Sequence, residues 1–155
     1  MPRAGVASVQ KTTANKLAGG IRLFLAALFV MTGTMKLVVP MPADAWSGQL
    51  LASGLPFYEL SRWSVPFVEI LVGVVLAVGL FTRAAATVVI GVMAVATYVH
   101  VVVDDPSLFP LQPSEPVIPL AVIVMCVYLL WRGGGAWSKD MNDTRVGSGQ
   151  GSGAS

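Results

Sequence analysis

Four apolar runs, at residues 21–39, 65–81, 83–103 and 117–131, leave this chain few folds to choose from. A bilayer's hydrocarbon core takes about 20 apolar residues per helix, and the first three runs meet or approach that length. The fourth has only 15 residues, about 22 Å at 1.5 Å per residue, so it must recruit its flanks, tilt little or thin the bilayer locally. The rest of the composition agrees. Only 12% of the residues are charged, whereas a soluble globular domain carries about 25%. The expected fold is therefore an all-α membrane protein, a four-transmembrane-helix antiparallel bundle spanning residues 21–140. A polar cytoplasmic tail (1–20) precedes it, and a flexible Gly/Ser-rich tail (141–155), of linker composition, follows.

The basic residues set the expected orientation. Arg3, Lys11, Lys16 and Arg22 precede or open the first run, Arg83 sits in the middle turn, and Arg132, Lys139 and Arg145 follow the last. Eight of the ten Lys and Arg thus fall on one side, with Arg62 the only basic residue of the opposite loops. The positive-inside rule places that side, with both termini, in the cytoplasm of a bacterial inner membrane. Trp46, Phe57, Tyr58 and Trp63 crowd the first outer loop (40–64) like an interfacial belt. Ala43-Asp44-Ala45 resembles a leader cleavage site, but the apolar run before it is longer than a signal core and contains Lys36, so retention is expected. A net charge of +2 with no basic stripe interleaved with aromatics gives no footprint for nucleic acid.

Leu50, Leu51, Leu55, Phe57 and Leu60 alternate with Gly, Ser and Gln in the first outer loop, which suits a short amphipathic helix on the membrane face. The second and third runs meet at Thr82-Arg83 and must form a tight hairpin. Four prolines between 104 and 116 predict a stiff, extended outer cover. Gly73 and Ala77, and Gly91, Ala94 and Ala96, are read as close helix contacts within the bundle, with a homodimer seam as the alternative.

Inside the apolar runs stand Lys36, Glu69 and His100. An ionised group at the bilayer centre costs about 2.5–3.5 kcal/mol even on lenient scales, so it faces protein or water and often marks function. The four-span topology brings all three to one depth, about a turn from the outer side, with Thr32 and Tyr98 as neighbours. One reading is structural: Lys36 snorkels, Glu69 pairs with it and His100 caps the interface. The other is an outward-facing polar pocket under the first loop, in which Lys36, His100, Thr32 and Tyr98 hold a quinone head group. Glu69, with His100, then handles the proton. The single cysteine, Cys126, allows no internal disulfide, and no His/Cys spacing suggests a metal site.

The runs IRLFLAALFVMTGTMKL (21–37) and FVEILVGVVLAVGLFTRAAATVVIGVMAVATYVHV (67–101), with the closing GGGAWSKD (133–140), resemble the DoxX family of four-helix membrane proteins. The resemblance implies a redox-associated group. It includes the membrane part of thiosulfate:quinone oxidoreductases, a maturation factor of methylamine dehydrogenase, and members linked to superoxide and thiol defence. Lys36, Glu69, Arg83, His100, Ser138 and Asp140 occupy that family's polar signature positions. The cysteine pair of its redox-maturation members has no counterpart here. The function expected is a membrane subunit of a quinone-linked redox system, concerned with sulfur compounds or oxidative stress, with protein partners in a redox complex or as a homo-oligomer. The alternatives are a non-catalytic anchor or assembly subunit and, more weakly, a small-molecule permease.

Overall fold

The computed structural model describes residues 15–140; the terminal tails, including all of the expected 141–155 tail, lie outside the described residues. Among the described residues five α-helices are defined, in order: α1 (Lys16–Val38), α2 (Pro40–Ala52), α3 (Tyr58–Val78), α4 (Thr82–Val102) and α5 (Val117–Arg132). A single 3-10 turn (Pro106–Leu108) lies between α4 and α5, and no strand occurs among the described residues. Helices α1, α3 and α4 are long and apolar enough to cross a membrane; α5 is apolar but shorter.

The bundle consists of two close antiparallel pairs, α1 with α3 and α4 with α5, joined by looser contacts between them. The buried positions of α1 are Ala18, Gly19, Arg22, Leu25, Ala26, Phe29 and Gly33, a stripe at three- and four-residue spacing. It meets Pro66, Glu69, Val72, Gly73 and Leu76 of α3. Without a hydrophobic drive between helices in lipid, close approach depends on small residues. A Cβ on Gly73 would lie 2.9 Å from the Val30 amide nitrogen, and one on Gly33 would lie 2.7 Å from the Pro66 carbonyl oxygen. The other small residues behave differently from the sequence expectation: Ala77, Gly91 and Ala94 face outward, and a Cβ on Gly91 would meet nothing within 4 Å.

Three boundaries depart from the runs read in the sequence. Helix α1 begins at Lys16, because the Asn15 side chain accepts from the Leu17 and Ala18 amides and caps it. The segment 40–64 is mostly helical: α2 follows α1 after Val39 alone, and α3 starts at Tyr58 rather than at 65. Pro66 thus lies inside α3 instead of near its start. The alternation read as one amphipathic helix is therefore divided, with Leu50 and Leu51 on α2 and Leu60 on α3. The hairpin between α3 and α4 turns at Gly79–Phe81, where Gly79 and Phe81 both take left-handed backbone angles; Thr82 and Arg83 already belong to α4.

Candidate functional site

At the end of the bundle that carries α2 and the proline-rich segment, Lys36 and Glu69 form an ion pair with Nζ 2.6 Å from Oε1. The residue that permits it lies one turn away on α1. Gly33, three positions before Lys36, lets α3 come so near that a Cβ there would stand 3.1 Å from the Glu69 Cβ. Glu69 is 4% exposed, whereas Lys36 is 21% exposed. The second carboxylate oxygen, Oε2, accepts no hydrogen bond from any described residue. Beside Glu69 runs a crevice walled by Phe29, Val68, Val72, Val88, Val89 and Val92, with no room for a water molecule.

Lys36 opens the other way, into a pocket of about 120 Å³. Thr32 and Met35 of α1 form one wall, Pro42, Ala45, Trp46 and Gln49 of α2 another, and the strap from Phe109 to Gln112 covers it. Its surface is mainly apolar, and Lys36 is the one ionisable side chain among these described lining residues. The ammonium sits 4.7 Å from the centroid of the Trp46 ring, a cation–π distance. The ring is held by a consequence of Pro66. A proline has no N–H to give to the carbonyl four residues back, so Arg62 O is left for another donor, and the Trp46 indole N–H donates to it at 3.3 Å.

The strap is fastened at several points. Gln49 donates to the Leu108 carbonyl at 2.5 Å, and Phe109 is buried at 4% exposure. Asp105 accepts from the Ser107 amide and hydroxyl, and these bonds hold its carboxyl below the usual range. His100 supplies the rest: Nδ1 lies 2.8 Å from the Ser114 carbonyl, Nε2 lies 3.4 Å from the Gln112 amide nitrogen, and the ring stacks on Phe109 with centroids 4.5 Å apart. The proline segment read as a stiff cover is thus tied down by side chains from two helices.

The sequence-derived candidates therefore separate. Lys36 and Thr32 line the pocket, and Glu69 stands directly behind Lys36. His100 reaches the pocket at one remove, through Gln112 and Phe109. Tyr98 does not line it; its hydroxyl donates to the Ser53 carbonyl at 3.4 Å. Sequence reasoning missed Trp46 as Lys36's neighbour, and missed Gln49 and Gln112 altogether. A cue was available for Trp46, because a proline one turn after Arg62 announces a free carbonyl. No group of three or more His, Cys, Asp or Glu that could hold a metal occurs among the described residues.

The opposite end is built around Arg22, fully buried at 0% exposure. Its guanidinium donates to carbonyls of Leu76, Ala77 (2.8 Å), Gly134 (2.9 Å), Ala136 (3.5 Å) and Trp137 (3.2 Å). Asp140 accepts from the Phe81 and Thr82 amides at 2.8 and 3.0 Å, capping α4 from a distance in sequence, while Ser138 donates to the Gly135 carbonyl. Arg22, counted in the sequence among the basic residues of the expected cytoplasmic side, is a buried clasp at its end of the bundle.

Compared with known families, residues 18–102 match the family model described as DoxX, more than half of the chain. Comparison with curated proteins and with solved structures gives no significant match.

Proposed function

The chain belongs to the DoxX family, and we propose that it is the membrane subunit of a quinone-linked redox system, receiving a quinone head group in the pocket at Lys36. The observation that carries this reading is a lysine ammonium set in the wall of a mainly apolar pocket of about 120 Å³. A ring with carbonyl oxygens matches such a lining: apolar walls take its faces, and the ammonium, with hydrogens left after Glu69, donates to a carbonyl. Trp46 and Phe109 supply aromatic surface. Glu69 is the candidate proton acceptor, since one of its oxygens is already shared with the group that would polarise the ligand. His100 acts on this pocket through the strap, and Tyr98 falls outside it.

The orientation that suits the reading has four crossings, α5 completing them, with both termini in the cytoplasm of a bacterial inner membrane. The pocket then opens on the outer face. Electrons pass to or from partner proteins of a redox complex. A second reading, a non-catalytic anchor or assembly subunit, draws on the ion pair itself, because a pair closed at 2.6 Å needs no ligand to be stable.

The test is binding of a short-tailed benzoquinone to the detergent-solubilised protein, followed by native mass spectrometry. The expected result is one quinone per chain, lost in Lys36→Met. A folded protein that takes up no quinone, alone or with its co-purifying partners, would leave the anchor reading in its place.

A further inference from the structure

The two contacts of the His100 ring assign a hydrogen-bonding role to each nitrogen, and the two roles are compatible. The Ser114 carbonyl can only accept, so Nδ1 must carry a hydrogen. The Gln112 amide nitrogen can only donate, so Nε2 must present its lone pair. The ring in turn fixes Gln112: the amide nitrogen is drawn to His100, and the amide oxygen accepts no hydrogen bond from any described residue. Gln112 lines the pocket. Lys36, across from the strap, has only donors to offer.

We propose that Gln112, held by His100, presents its amide oxygen to the pocket as an acceptor and thereby selects the hydroxyl-bearing, reduced form of the head group. The inference rests on the quinone reading of the pocket and adds to it the redox state that binds best. Lys36 donates to an oxygen on the ring, and a fully oxidised quinone satisfies that donor. It has no hydroxyl to give Gln112, so its binding would leave the amide oxygen desolvated and unpaired, which is the costly half of a lost hydrogen bond. A hydroquinone gives one hydroxyl hydrogen to Gln112 and offers its other oxygen to Lys36. His100 is in this scheme a positioning residue: it touches no ligand and acts through the sense in which the amide is turned.

The experiment is anaerobic calorimetric titration of the full chain, in detergent, with a decyl-tailed benzoquinone and separately with its hydroquinone. Wild type is expected to bind the hydroquinone roughly tenfold more tightly, the worth of one hydrogen bond. Gln112→Leu should lose that preference by weakening hydroquinone binding and leaving quinone binding unchanged. His100→Phe, which keeps a ring against Phe109, should also lose the preference, as should His100→Asn, which keeps a donor near Ser114. A role for His100 in strap stability alone would weaken both forms equally and leave their ratio intact. Equal affinities in wild type, or a ratio surviving both His100 variants, would overturn the inference while leaving the quinone site standing. Binding of neither form would overturn both.

Discussion

Arg22 and Lys36 occupy the same stripe of α1, fourteen positions and about 21 Å apart, and their surroundings could hardly differ more. Arg22 is wrapped by five backbone carbonyls drawn from the end of α3 and from the segment after α5. Those at Leu76 and Ala77 belong to the last turn of α3, where helix carbonyls run short of amide partners and a cation is favoured. Asp140 complements it by taking the first amides of α4, where an anion is favoured, and it also attracts the guanidinium. Lys36 has one carboxylate oxygen and a tryptophan face; its partner keeps an oxygen without a bond, and open space lies in front. A buried charge satisfied on every side holds a structure together. One satisfied by a single partner, beside a pocket, can exchange that partner for a ligand. The difference marks one end of the bundle as scaffold and the other as the candidate site.

The strongest way to break the comparison is Arg22→Met. Five carbonyls lose this donor, Leu76 O keeping a second one in the Gly79 amide, and each buried polar group left unsatisfied costs about 1–3 kcal/mol. Without additivity the total should still exceed about 4 kcal/mol, the range of exceptional single substitutions. The expected outcome is a protein that does not survive extraction as a monodisperse species in size-exclusion chromatography. A Tm close to wild type in micelles would remove the clasp from the account.

At the other end, Lys36→Met leaves Glu69 buried without its partner, which for a fully buried pair costs roughly 3–5 kcal/mol. Lys36 is partly exposed, so the lower part of that range is expected. Adding Glu69→Leu should recover most of the loss, because replacing both members with apolar groups is often neutral. Thermal denaturation of the two single variants and the double variant measures the coupling directly. A double variant as unstable as Lys36→Met would mean that the pair is scaffold after all, and the two ends would then be alike.

Smaller again is Asp140→Ala, which withdraws the acceptor from the Phe81 and Thr82 amides. Loss of a helix cap costs about 0.5–2 kcal/mol, so a lower Tm with the fold intact is expected, and no change in ligand binding at the far pocket. A change in pocket affinity would show that the ends communicate.

Much of this bundle is written in the sequence at the level of class. Apolar runs separated by polar breaks and glycine marked the helices, and ionisable residues at matching depths pointed to Lys36 beside Glu69. What stayed hidden depends on helix rotation and on chain geometry outside the runs. Gly73 and Gly91 look alike in sequence, yet one lies in the α1–α3 seam and the other faces outward, since hydropathy does not fix rotation in a helix apolar on every side. Arg22 reads as a flanking charge because nothing local announces that residues 134–137 fold back over it. Gln112 was illegible for the same reason: its partner is His100, and both owe their meeting to the path of the proline strap.

The finest probe is Trp46→Phe. It removes the indole N–H that answers the carbonyl left by Pro66 and keeps an aromatic face beneath the Lys36 ammonium. One hydrogen bond is worth about 0.5–1.5 kcal/mol, so the fall in stability should be slight. The effect on the pocket separates two roles for the ring. If its hydrogen bond is what orients the wall, ligand affinity should drop several-fold although the cation–π partner survives. Pro66→Ala offers the reciprocal check, because an alanine amide can take the Arg62 carbonyl and compete with Trp46 for it. Equal weakening of binding by the two variants would assign the wall's geometry to that carbonyl. An effect of Trp46→Phe alone would assign it to the indole itself, and Lys36 would then depend on a side chain that its own helix does not carry.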